Sequence, residues 1–249
     1  MKSFVIFVLI FLSIFNLACK KSNSPTEPTE PRAPVSLSEY GSSIDENYYK
    51  VWSDSTWECF DRTITINGTF YATIMDCYGD EFYYSADGYA GFKLYGDSLI
   101  LFDQPMPSLP DTINFNQKYV QTVTFTYQGY KFTLQDEQTL RDTSSVSISF
   151  GTFSCLWFDA KSTLSTGNQS QVSTTQLWMA KGPSTIKEIL DSGETIFMTG
   201  GVVNGKGYGN ASPKLTADKN HYQNSNVIKK SSKSLLNLVS TGIHLKVKI

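Results

Sequence analysis

The groups able to do chemistry are few. The 249-residue chain has four cysteines, Cys19, Cys59, Cys77 and Cys155, and two histidines, His221 and His244. A structural zinc site gathers about four Cys or His ligands at short spacing, and these residues are too dispersed for one. A Ser-His-Asp arrangement needs an imidazole beside its nucleophile, but both histidines lie near the C-terminal end. There is no Gly-x-Ser-x-Gly elbow, and the Gly-rich run at 200–207 lacks phosphate-loop spacing. Asp87 and Asp97 sit in Asp-Gly or Gly-Asp pairs, where turns want them. A carboxylate pair for glycoside hydrolysis assembles only in three dimensions and stays open. The expectation is a protein that is not an enzyme, with no cofactor and no metal. That leaves aromatics. Tyr83, Tyr84, Tyr89, Tyr95, Trp157 and Trp178 could line a concave sheet that holds an apolar or glycan ligand, and each could equally be core.

The sharpest functional signal is at the start of the chain. Lys2 precedes an almost unbroken apolar run, Phe4–Phe15, and Asn16-Leu17-Ala18-Cys19 closes it. This is the layout of a secretory signal. The run is short for a span, since a helix rises about 1.5 Å per residue and the bilayer core is about 30 Å thick. Ending in Ala18-Cys19, the stretch resembles the signals of bacterial lipoproteins, although Asn16 stands where that family usually has Leu. The resemblance implies cleavage before Cys19 and a diacylglycerol on its thiol. Lys20, in place of Asp, implies the outer membrane rather than the inner one. A secretory signal cut after Ala18 and an uncleaved anchor are the other readings of these residues. The expected partner is thus a membrane, reached through lipid on Cys19.

The formal charge of −2 hides an asymmetry: residues 37–199 carry a net of −11, and residues 200–249 carry +7. An acidic body argues against a nucleic-acid partner. The segment 20–36 is rich in Pro, Ser, Thr and Glu without apolar periodicity, which reads as a disordered linker. The organisation expected is a signal peptide at 1–18, a linker at 19–36, a β domain at 37–199 and a basic, partly disordered tail at 200–249. Within the tail, Gly242–Ile249 alternates and reads as a last strand.

The body must position any site with strands. Ser43 and Glu46 have capping-box spacing, which predicts a short helix through Trp52. From Trp57 the chain reads as a meander. Trp57–Ile66 and Thr69–Tyr78 flank Asn67-Gly68, a strong hairpin signal. Glu81–Ala86, Tyr89–Tyr95 and Ser98–Asp103 follow around Asp87-Gly88 and Gly96-Asp97. Two-residue turns set the register. They put Tyr83 opposite Phe92 and Leu94 opposite Leu99. They also put Cys59 opposite Asp76, leaving Cys59 and Cys77 on opposite faces, so a disulfide would need a bulge between them. A further hairpin about Gln128-Gly129 pairs Phe125 with Phe132 and Val123 with Leu134. Gln135–Ser145 reads as a polar connection. Val146–Phe158 reads as a strand bent at Gly151, Ala160–Ser173 as a polar loop and Thr174–Ala180 as a strand.

The spacing of Ile186, Ile189 and Leu190 after Ser184 suggests a helix. Against that, Phe150-Gly-Thr-Phe-Ser-Cys155, Leu177-Trp-Met-Ala-Lys-Gly182 and Ile186-Lys187 resemble uncharacterised bacterial envelope proteins. Those are mainly antiparallel half-barrels in which a strand runs through a Gly turn into another strand. The resemblance spans Phe150–Glu188 and implies a fold, not an activity. The fold class expected is all-β, a mainly antiparallel meander of about ten strands curled as a half-barrel or sandwich. The function expected is a lipid-anchored, exported, non-catalytic envelope protein whose curved sheet binds an apolar ligand or a partner protein. A surface glycan-binding module and a structural spacer are the alternatives.

Overall fold

The structure, a computed structural model, describes residues 32–94, 96–210 and 245–247. All of its strands belong to one compact unit, Pro34–Ile249, and there is no helix among the described residues. Three short strands come first: β1 (Val35–Ser36), β2 (Ser42–Ile44) and β3 (Tyr49–Trp52). The first meander adds β4 (Trp57–Ile66), β5 (Thr69–Asp76), β6 (Glu81–Ser85), β7 (Gly88–Lys93) and β8 (Ile100–Met106). After β9 (Thr112–Ile113), a second meander runs through β10 (Lys118–Tyr127), β11 (Tyr130–Ile148), β12 (Gly151–Thr166) and β13 (Gln169–Ala180). It ends with β14 (Ser184–Ile189) and β15 (Thr195–Val203), followed by β16 (Lys206–Gly209) and β17 (Leu245–Val247).

Each meander pairs its strands in chain order, and the two join edge to edge where β15 pairs antiparallel with β3. The result is one antiparallel sheet of twelve strands from β10 to β8, with β16 added on β15. It curls until its edges meet, a nearly closed barrel. At the seam Phe102 of β8 packs on Phe125 of β10, with ring centroids 5.6 Å apart, and Thr124 Oγ1 donates to Asp103. Side chains bridge this gap where the backbone ladder stops. Apart from this sheet, β1 pairs with β9, and β17 lies parallel to β2.

The long hairpins explain the core. Val123 faces Leu134 and Phe125 faces Phe132, as the Gln128-Gly129 turn predicts, and both turn residues have positive φ. Their row joins Phe92, Phe102, Tyr84 and Tyr89 in the main apolar cluster. A second cluster, Leu140, Leu156, Phe158, Leu177 and Met179, is covered by Leu37, Tyr40, Leu109 and Ile113. Burying one such side chain stabilises the fold by about 1.5–3 kcal/mol. Gly91 of β7 has no room for a side chain, because an added Cβ would stand 2.2 Å from the Ile100 oxygen of β8.

Several expectations are corrected. The capping-box segment is β2 and β3, not a helix, because sheet pairing of Tyr49–Trp52 with β4 overrides a weak local signal. Gln135–Ser145 is not a connection but the middle of β11, and Ala160–Ser173 belongs to β12 and β13 around the turn at Gly167-Asn168. Gly151 is not a bend within a strand: it pairs with Ile148 and starts β12 after a hairpin turn. Ser184–Ile189 is a strand, as the half-barrel resemblance implies. The sheet also continues past residue 199, through Val203 and on to β16.

Register slips by one residue in two hairpins. Phe82, not Tyr83, faces Phe92, because the turn is Ala86-Asp87, which moves the pairing by two, and a bulge at Ala90, between the Tyr84–Tyr89 and Tyr83–Gly91 pairs, moves it back by one. At the turn the Ser85 hydroxyl accepts from Asp87 N and donates to Gly88 O. Ile100 faces Phe92, so Leu94 and Leu99 are not paired as expected. In the first hairpin a bulge between Phe60 and Arg62 moves Cys59 from Asp76 to Met75.

Candidate functional site

The predicted aromatics fall into separate places. Tyr84 and Tyr89 are buried in the main cluster with ring centroids 5.3 Å apart, and Tyr89 meets Phe102 edge-on at 5.0 Å. Burial pushes both phenols above their ordinary range. The Tyr89 hydroxyl has no hydrogen-bond partner among the described residues. Tyr83 points the other way and packs with Tyr71 and Ala90. Its hydroxyl donates to Glu81 Oε2 at 2.6 Å, and Glu81 is also held by Arg62 and Lys93. Tyr95 lies outside the described residues, and so does Cys19.

Trp157 and Trp178 are brought together. They are direct partners in the β12–β13 ladder, and their rings stack at 5.8 Å with planes 2° apart. The row continues across the sheet, for Trp178 pairs with Lys187 of β14 and Lys187 pairs with Phe197 of β15. Lys187 Nζ stands 3.9 Å from the centre of the Trp178 ring, a cation–π contact. Trp178 is buried and its indole N–H donates to Ser144 Oγ at 2.9 Å. Trp157 keeps part of its ring exposed, and its N–H finds no acceptor among the described residues. Two residues along the same face, burial pushes the Cys155 thiol up to about 11, against the pull of the Lys187 charge. It is a protonated, unreactive thiol.

Side chains alternate, so the face of Trp157 also carries Asp159 and Lys161, and the face of Trp178 also carries Gln176 and Thr174. These residues line an open groove of about 530 Å³ with Lys118, Glu137 and Arg141. Most of its charges are mutually paired, and Asp191 accepts from Thr174 Oγ1 at 2.9 Å. Arg141 Nε donates to Asp159 at 2.6 Å and Gln176 Nε2 donates to the other Asp159 oxygen at 3.2 Å. Lys118 donates to Glu137 at 2.7 Å, with Lys161 at 3.8 Å. The Lys118 bond is the largest cause that holds the Glu137 carboxyl below its ordinary range. A ligand here meets alternating donors and acceptors beside an aromatic row.

The barrel also buries polar groups that sequence reasoning missed. Lys50 is 2% exposed, faces Glu58 across the β3–β4 ladder and donates to Thr185 O at 3.2 Å. Burial lowers its pKa, while Glu58 and Glu188 act the other way. Asp136 accepts from Ser162 at 2.8 Å and from Gln138 at 2.7 Å. The available signal was phase: Asp136 and Gln138 alternate in step with Leu134 and Leu140, which marks an inward face rather than a loop. No cluster of His, Cys, Asp and Glu able to hold a metal occurs among the described residues.

No protein-family model matches the chain, and no curated protein does. Solved structures with a similar fold include a candidate lipoprotein from Parabacteroides distasonis, at 9% identity and TM-score 0.34, the match covering 64% of this chain and 97% of that one. A candidate exported protein with a YmcC-like fold from Bacteroides fragilis matches at 10% identity and TM-score 0.37, with the same shares of 64% and 97%. The hypothetical lipoprotein YmcC from Escherichia coli matches at 9% identity and TM-score 0.35, over 63% of this chain and 86% of that one. A likeness this distant bears on no residue and no activity. Two of the three carry the name lipoprotein and one the name exported protein.

Proposed function

We propose that the chain is an exported, non-catalytic envelope protein, lipid-anchored through Cys19, whose barrel binds a glycan on the sheet face that carries Trp157 and Trp178. The observation that carries the glycan reading is the cross-strand row Trp157–Trp178–Lys187, which shares its sheet face with the paired donors and acceptors of the groove. Sugars offer hydroxyls to such pairs and apolar C–H faces to aromatic rings. An apolar ligand inside the barrel is less favoured, because Tyr84, Tyr89, Phe92, Phe102 and Phe125 pack on one another there. The balanced ion pairs of the groove favour a neutral ligand over a charged one.

The test uses the full-length protein in detergent, titrated with a panel of neutral oligosaccharides while tryptophan emission is recorded. The proposal expects saturable quenching and a loss of affinity of about tenfold or more in Trp157→Ala, with the circular dichroism unchanged. No binding by any panel member, or equal binding by the variant, overturns it. The anchor has its own test in the intact mass of the membrane-fraction protein. A chain starting at Cys19 with added acyl mass, lost in Cys19→Ala together with membrane association, supports the tether. An unmodified chain refutes it.

A further inference from the structure

The bulge between Phe60 and Arg62 changes which groups share a face. Without it, a two-residue turn at Asn67-Gly68 would set Cys59 and Cys77 on opposite sides of the sheet. With it, Cys59 pairs with Met75, and Cys77 N donates to Trp57 O at 3.0 Å, opposite Trp57. Trp57, Cys59, Met75 and Cys77 then lie on one side and pack with Tyr49 and Val51 in a single apolar cluster. The two cysteines are diagonal neighbours across the β4–β5 ladder.

We propose that Cys59 and Cys77 form a disulfide between β4 and the turn that follows β5. Diagonal Cβ atoms stand roughly 7 Å apart or less, and a disulfide needs about 4 Å. Closing the difference takes a shift at Cys77, which lies one residue past the end of β5, in the turn that leads to β6, and is tied there by its N–H to Trp57 O. A bulge also sharpens local twist, and here it sits two residues from Cys59. Access sets the order of events: Cys59 is buried and Cys77 half-buried.

The oxidant is a disulfide-bearing reactant, either an oxidised thiol–disulfide oxidoreductase or oxidised glutathione. Cys77 gives up its proton, and its thiolate attacks one sulfur of that disulfide. The first leaving thiolate takes a proton and departs as a thiol, leaving a mixed disulfide on Cys77. Cys59 then gives up its proton and attacks the Cys77 sulfur, and the second leaving thiolate departs as a thiol. The protein loses two hydrogens and two electrons, and the reactant gains both. Cys155 takes no part: it lies in the main core cluster, apart from these two.

The full-length protein, purified from membranes without reductant and incubated with oxidised glutathione, is denatured, alkylated with N-ethylmaleimide and digested. The expected result is one linked peptide pair holding Cys59 and Cys77, about 2 Da lighter than the dithiol pair, with Cys155 alkylated. After reduction both cysteines alkylate. In Cys59→Ala the linked pair disappears and Cys77 keeps a glutathione adduct that reduction removes, whereas Cys155→Ala leaves the pair intact. Alkylation of Cys59 and Cys77 before reduction overturns the proposal, and so does a linked peptide that contains Cys155.

Discussion

Asp136 should make stability fall as pH rises through the mildly acidic range. Its side chain is 1% exposed on β11, and burial is the largest cause that raises its carboxyl to about 6. The Gln138 and Ser162 bonds act in the opposite direction, and the Glu137 charge adds a smaller upward push. The ordinary value, which the unfolded chain adopts, is 3.8. Between those two values the folded state keeps a proton that the unfolded state has released, so stability drops with rising pH and this contribution levels off above about 6. A gap of about two units at 1.36 kcal/mol each is worth about 3 kcal/mol.

Asp136→Asn removes the titration and should keep the network. Ser162 can donate to the amide oxygen. Gln138 Oε1 has no hydrogen-bond partner among the described residues, so turning that amide over offers the oxygen to the new NH₂ group. Urea denaturation of both proteins at pH 4, 5, 6 and 7 provides the assay. The two should be equally stable near pH 4, and the variant more stable by about 3 kcal/mol at pH 7. A difference that stays constant over this range, or that grows in the wild type's favour, refutes the argument.

Phe125→Ala should cost about 3–5 kcal/mol by denaturant midpoint, because the ring stacks on Phe132 at 5.3 Å and meets Phe92 and Phe102 at 5.6 Å, across the seam. Gly91→Ala should cost more than about 3 kcal/mol, since its Cβ would stand 2.2 Å from Ile100 O. Gly68→Ala, at φ +81° with open space around it, should lose only about 1–2 kcal/mol in the same assay.

Local chemistry made part of the fold legible. Asn67-Gly68 and Gln128-Gly129 put positive φ at both turn positions, and the strands beside them were readable. Register was legible only where no bulge intervened: Phe125–Phe132 follows from its turn, while Cys59 needed the bulge at Asp61. Bulges answer to tertiary twist, and no residue type announces them. Polarity misled at Gln135–Ser145 and Ala160–Ser173. A long barrel strand there carries solvent groups on one face and hydrogen-bonded polar groups such as Asp136 and Ser162 on the other, so both faces read as loop. Of the candidate site, Trp157 and Trp178 stood out by type, but their stacking depends on ladder register, and Lys187 enters only through the β13–β14 pairing.

The joining of β15 to β3 also bears on how the chain folds. Thr199 Oγ1 donates to Val51 O, and Phe197 N donates to Ser53 Oγ, contacts that span 148 and 144 residues. The two meanders can each zip from local turns, but this ladder waits for almost the whole chain and closes the largest loop in the sheet. Non-local pairing of this kind slows folding. A nascent or translocating chain that has not yet released Thr195–Val203 leaves β3 and β14 as bare edges, each able to template a second copy. Aggregation during biogenesis should therefore track delay at this one junction rather than the strength of either meander.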